Sequence, residues 1–295
     1  VKKAVCAFLI FLLLASGMPA APSAAARPTY VRLGQWARAN VFTLQWLERD
    51  KTLQLTGYGA RLVFNVDPHS DTRKAEINGV QVWLAYPIVS QNGSVLISQV
   101  DLSETIGPTL APPANPRGIR VQKICIDAGH GGTDPGYQVG GNDEKKYTFL
   151  LAQEVRTQLK AAGFDVSLHF NAFPQDTQIH GTEVYCCTPP GAYSFNSRGE
   201  GDTRWFPGNR NDEKNMLLAY QVMKSYEKNL GIEDRGVKRG RLQVLREATM
   251  PAILIEGGFM SNPTEGKKIY DPMYRKQMAR ALVEGILAYK KAVKG

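Results

Sequence analysis

At 295 residues, 43% of them hydrophobic and 21% charged, the chain is ordinary for a globular protein and long enough for two units that each bury a core. A formal net charge of +9 draws it towards polyanions, but it has no basic stripe interleaved with aromatic residues, which sets nucleic acid aside as a partner. Cys6, Cys125, Cys186 and Cys187 lack Cys-x-x-Cys and zinc-knuckle spacing, which excludes a dithiol redox centre and a cysteine zinc site; burial as small apolar groups is expected for the last three.

Lys2-Lys3 precedes an apolar run from Ala4 to Ala15, and small residues ending in Ala24-Ala25-Ala26 follow. That layout reads as a secretory signal peptide over residues 1–26, with an uncleaved anchor as the competing reading. The run is shorter than the roughly 20 apolar residues a spanning helix needs. Export to the periplasm, cell wall or exterior is expected, with the membrane met only in transit. Without the two lysines of that segment the rest carries +7, suited to anionic wall polymers.

Residues 29–110 read as a small α+β accessory unit. Leu33, Trp36 and Ala37 share a helical face, after which the apolar period becomes two: Phe42, Leu44, Trp46; Leu53, Leu55; Leu62, Phe64, Val66; Val80, Val82, Leu84. Asn78-Gly79 and Asn92-Gly93 are hairpin signals. His69 lies in a turn, Asp67-Pro68-His69-Ser70, and is expected in solvent. Residues 111–118 are a linker, where Ala111-Pro112-Pro113-Ala114-Asn115-Pro116 favours an extended spacer.

Residues 119–295 form the second unit. Strand Val121 to Asp127 runs into the glycine-rich bend Ala128-Gly129-His130-Gly131-Gly132. Asn142 or Asp143 caps a helix with Tyr147, Leu151, Val155 and Leu159 on one stripe, stopped by Gly163. Asp165 to Phe170, Glu183 to Cys187, Leu242 to Leu245 and Ala252 to Ile255 read as strands. Leu218, Val222 and Tyr226 mark a helix ending near Gly231, and Asp271-Pro272 opens a last one with Met278, Leu282 and Ile286 inward. Between them, Thr188 to Arg210 is a long loop whose Trp205 and Phe206 either stack on sugar faces or pack the loop down.

Chemistry gathers on four residues. His130, Glu144 and His169 make a first shell for a hydrolytic Zn2+, leaving a position for water, and Glu256 is the further carboxylate available as base. Each has a plainer explanation: a lone histidine is usually structural, an acid in a first helical turn answers the helix dipole, and Glu256 could pair with a lysine or arginine. Glu256 ends an apolar strand, where desolvation raises its pKa, and Gly257-Gly258 is expected to leave room for substrate.

Ile126-Asp127-Ala128-Gly129-His130-Gly131-Gly132, Asp143-Glu144-Lys145, Ser167-Leu168-His169-Phe170-Asn171-Ala172, and the run from Pro251 to Asn262 resemble the zinc-dependent N-acetylmuramoyl-L-alanine amidases over about residues 119–293. The resemblance implies an α/β fold, a mixed sheet flanked by helices, with the site where His130, His169 and Glu256 emerge from the strands. It implies zinc on His130, Glu144 and His169, Glu256 as catalytic base, and cleavage of the amide joining N-acetylmuramic acid to L-alanine of the peptidoglycan stem peptide. His180 lies outside the motif that holds the second histidine. The accessory unit looks like the small N-terminal domain named after copper amine oxidases. No histidine cluster implies copper here, and a stalk, docking or wall-adhesion role is expected.

Relatives place a further strand-and-helix unit between a Gly-Phe-Asp-Val-like strand and the strand of the second histidine. Here Gly163-Phe164-Asp165-Val166 joins Ser167-Leu168-His169 directly, so about 30 residues are missing. If the fused strand takes the second-histidine position, His169 reaches His130 and apolar surface is exposed beside the site. A zinc peptidase acting on stem peptides and a non-catalytic wall-binding protein with a degenerate site are the alternatives, and the need for an activator protein stays open.

Overall fold

Alternating apolar residues in the N-terminal half become strands because every second side chain reaches a common core. The computed structural model describes residues 28–116, 124–159, 165–172, 175–195 and 201–293, and for 165–168 the backbone alone. The signal-peptide reading, the linker's end and Val121 of the first motif strand lie outside them. The first half runs β1 (Tyr30–Arg32), α1 (Leu33–Ala39), β2 (Thr43–Glu48), β3 (Thr52–Gly57), β4 (Ala60–Asn65), β5 (Lys74–Ile77), β6 (Val80–Trp83), β7 (Val89–Gln91) and β8 (Ser94–Ser98). It closes with the short α2 (Gln99–Asp101), a π-helical turn (Leu102–Ile106) and α3 (Gly107–Leu110). Asn78 and Gly79, like Asn92 and Gly93, have positive φ, as a two-residue hairpin turn of type I′ requires.

The second half comprises β9 (Cys125–Ala128), β10 (Gln138–Val139), β11 (Asn142–Asp143), α4 (Glu144–Gln158), β12 (Asp165–Asn171), β13 (Thr182–Cys187), a 3-10 turn (Pro207–Asn211), α5 (Asp212–Leu230), β14 (Asp234–Gly240), α6 (Gln243–Glu247), β15 (Ala252–Phe259), α7 (Pro263–Tyr270) and α8 (Pro272–Ala292). Gly231 ends α5 in the left-handed conformation, and the Asp271 side chain accepts from Met273 N–H at the start of α8.

Ten strands form one sheet in the order β2-β3-β4-β5-β6-β14-β13-β15-β12-β9. The first five are antiparallel. From β14 onward the sheet is mixed: β9, β12 and β15 are mutually parallel, and β13 runs antiparallel to β15. α4, α8 and α5 pack side by side along this second half, so the expected mixed sheet flanked by helices is what forms. The fused segment lies as β12 between β9 and β15, with His169 level with Glu256.

Three expectations are corrected. The two units do not each close a core: β6 pairs with β14, and one apolar cluster runs from Leu33 and Phe64 through Leu218 and Met278. Leu242 to Leu245 is no strand but the entry to α6, because its two leucines stand three apart, a spacing a helix also satisfies. Cys125 is exposed rather than buried, since among the described residues β9 ends the sheet on its side; Cys186 and Cys187 are buried as expected.

Candidate metal centre

β9 ends at Ala128, and the chain then turns with His130 at φ 65°, a conformation that a side-chain-bearing residue adopts at a cost of about 1–3 kcal/mol. Thr148 Oγ1 of α4 donates to the Gly129 carbonyl at 2.7 Å, tying this turn to the helix that starts with Glu144. Two glycines make room for the ligands. A methyl at Gly129 would come within 2.3 Å of the His169 ring, and one at Gly136 within 2.8 Å of both the His130 ring and the Glu144 carboxylate. A β-carbon at either position would displace a ligand.

The structure brings together all three residues expected to hold metal. His130 Nε2 is 3.1 Å, and His169 Nδ1 3.4 Å, from Glu144 Oε1, and one ligating atom from each lies within 4.8 Å of the other two. Glu144 is buried, and its oxygens accept from the backbone N–H groups of Tyr137 at 3.0 Å and Phe170 at 3.1 Å. Burial opposes its ionisation, but the His169 contact and those two amides prevail and hold its carboxyl below the usual range. Burial likewise lowers His130, yet Asp134 and Glu144 outweigh it and its pKa is raised. Two imidazoles and a carboxylate at such spacing are a donor set that fits zinc with a coordination position to spare.

Asp134 is a candidate functional residue that sequence reasoning passed over. Its Oδ2 lies 2.8 Å from His130 Nδ1, so it fixes the imidazole with Nε2 facing Glu144. The available signal was its place four residues after His130 within the same glycine-rich turn.

Glu256 stands beside the triad, level with His169 on one side and Glu183 on the other. Its Oε2 is buried with no hydrogen-bond partner. Burial, then the negative charges of Glu144 and Glu183, push its carboxyl up to about 8. The lysine or arginine of the plainer explanation pairs instead with Glu183, which takes Lys238 Nζ at 2.6 Å and Arg235 Nε at 2.8 Å.

Gly257 does not open space for substrate as expected. A β-carbon there would come within 2.7 Å of Met278, so the glycine admits α8 against the strand's other face. Of the Thr188–Arg210 loop, residues 188–195 and 201–210 are described. Because β13 runs antiparallel to β15 with Glu183 opposite Glu256, the loop starts at Thr188 about 16 Å along the strand from Glu256, at the strand's far end. The Arg210 guanidinium lies over the Trp205 ring, and Phe195 packs edge-on against Trp83 of the first unit. His180 pairs with Glu233 and His69 lies in an exposed turn, both apart from the triad.

With this geometry in place, likeness to known proteins is informative. The sequence profile of the N-acetylmuramoyl-L-alanine amidase family matches residues 124–168 and 162–288, more than half of the chain. The chain belongs to that family. Residues 162–168 are matched twice, which is what fusing two family strands into one predicts. The N-acetylmuramoyl-L-alanine amidase AmiC of Neisseria meningitidis is 29% identical over 89% of this family member and 72% of its own length, an alignment that reaches into the N-terminal unit. The probable cell wall amidase LytH of Staphylococcus saprophyticus is 29% identical over 59% of this chain. The match spans about 60% of the LytH sequence. Among solved structures, AmiC2 of Nostoc punctiforme is 25% identical, with a TM-score of 0.46, over 56% of this chain and 95% of that one.

Proposed function

We propose that the chain is a zinc-dependent peptidoglycan amidase that hydrolyses the amide between N-acetylmuramic acid and L-alanine of the stem peptide. The observation that carries this reading is the convergence of His130, Glu144 and His169, from three separate elements, beside the unpartnered Oε2 of Glu256.

His130, Glu144 and His169 would hold the metal. When bound, the dication supplies Lewis acidity for the amide carbonyl and a positive charge that lowers the pKa of nearby water and of Glu256. Asp134 keeps His130 in the tautomer that presents Nε2. Glu256 takes a proton from the attacking water as its oxygen bonds to the carbonyl carbon, then passes that proton to the leaving nitrogen as the carbon–nitrogen bond breaks. The products are the lactyl carboxylate and a free α-amino group on alanine. Lys238 and Arg235 pair with Glu183 and not with Glu256.

Export and work at the cell wall belong to the same proposal, as does a docking or wall-adhesion role for the N-terminal unit. Among the described residues no helix is long and apolar enough to cross a membrane. The convergence of all three ligands argues against a degenerate, merely wall-binding site. A zinc peptidase would use the same side chains, and the family match favours the amidase. Digestion of purified sacculi separates the two: new amino termini should be alanine, and any other residue would turn the reading to a peptidase.

A further inference from the structure

Glu183 of β13 and Glu256 of β15 stand directly opposite each other, and residues so paired project from the same face of a sheet. Two carboxylates side by side repel, yet the donors around this pair are shared out unequally. Glu183 is buried and collects four of them: Lys238 Nζ at 2.6 Å, the Tyr185 hydroxyl at 2.6 Å, Arg235 Nε at 2.8 Å and Asn171 Nδ2 at 3.4 Å. Burial opposes its ionisation, but Lys238, Tyr185 and Arg235 prevail and hold its carboxyl below the usual range. One strand away, Oε2 of Glu256 is buried with no partner at all.

Both cations come from β14, which pairs with β13 on the side away from β15. Two strand spacings, roughly 10 Å, separate β14 from β15, a gap that a lysine and a glutamate bridge when both side chains extend across it. Arg235 has other partners, since its Nη1 lies 3.9 Å from Glu233 Oε1 and its guanidinium 5.2 Å from the Phe259 ring centre. Lys238 is buried, and among the described residues Glu183 is the carboxylate it pairs with; its other neighbours are the rings of Trp83 and Phe195, at 5.9 and 5.1 Å. A desolvated ammonium that loses its carboxylate is strongly destabilised and turns to another anion within reach. On this face of the sheet the next carboxylate beyond Glu183 is Glu256.

We propose that Glu183 is a positioning residue for the hydrolysis: by holding Lys238, it keeps Glu256 clear of a cation and so free to take the proton of the attacking water. The proposal rests on the amidase reading and adds a residue that acts through Glu256, without placing it on the metal or the substrate. A carboxylate tied to an ammonium is a weaker proton acceptor than a free one and is turned away from the water it must meet. Two neighbouring carboxylates in unlike surroundings thus divide the work, one ionised and paired, the other left to exchange a proton.

Glu183→Gln keeps the size of the side chain and removes its charge. In the full zinc-loaded chain, turnover of sacculi should fall at least about 10-fold, with zinc content and the half-saturating sacculus concentration unchanged. Glu183→Leu with Lys238→Met removes the cation as well and should return turnover to within about 3-fold of the parent, since an apolar pair replaces a buried ionic one. A crystal structure of Glu183→Gln should show Lys238 Nζ about 3 Å from a Glu256 oxygen. Unchanged turnover in Glu183→Gln, or Lys238 still at position 183 in that crystal, overturns the role. A double variant that binds zinc yet turns over at least about 10-fold more slowly than the parent overturns it too, whether or not the single variant folds. A parent chain that releases no alanine amino termini from sacculi overturns the amidase reading alone, and the crystal structure then still decides whether Glu183 keeps Lys238 from Glu256.

Discussion

A buried carboxylate oxygen with no hydrogen-bond partner costs stability, and at Glu256 that cost sits beside three ligating side chains. Glu256→Gln keeps the shape, removes the proton acceptor and leaves the ligands untouched. Zinc content should stay the same while sacculus digestion falls about 10²–10⁴-fold. A variant that loses both would place Glu256 among the ligands, and one that loses neither would make it structural. Asp134 shows what a residue-by-residue reading of the sequence misses: a carboxylate in a polar turn leaves no periodic signal, and its value comes from the His130 imidazole it faces.

At the scale of elements, the stripes of α4, α5 and α8 and the alternation of β3, β4 and β6 are legible because each buries one face. β14 is not. Asp-Arg-Gly-Val-Lys-Arg-Gly has one large apolar residue, yet its last five residues are buried, including Lys238 and Arg239. Their charges are met across the sheet, Lys238 by Glu183 and Arg239 by the carbonyls of Cys187 and Glu104, partners too distant in sequence to be anticipated. Lys238→Met should therefore destabilise the fold by about 3 kcal/mol, the low end for breaking a buried pair, because Arg235 still holds Glu183. Urea unfolding would show it, and adding Glu183→Leu should recover much of the loss. An unchanged midpoint for the single variant would mean that the pair is not desolvated as described. The three residues proposed to hold the metal, in contrast, are legible: each sits in a short motif at a strand or helix end, where the backbone alone aims the side chain.

For the whole molecule, the junction of the two units carries polar contacts that titrate. Asp234 at the start of β14 accepts from Gln81 N–H at 2.7 Å and Gly236 N–H at 2.8 Å, and burial pushes its carboxyl up to about 6. A carboxyl whose folded pKa lies above its unfolded value of about 3.9 favours the folded state when protonated. Its contribution is present at low pH and is lost as pH rises from about 4 to 6. Asp234→Asn should lower overall stability by mismatching one N–H donor, yet flatten the decline of stability across that window. A decline as steep as that of the parent would assign the pH dependence elsewhere. The larger consequence is that the family profile matches residues 162–168 twice, and the account stands on whether a chain shortened in this way keeps a metal centre that works. Zinc titration of the full chain decides it. One zinc per chain should be retained through gel filtration by the parent and lost from both His130→Ala and His169→Ala, whereas weak binding by the parent, or equal retention by the variants, would contradict it.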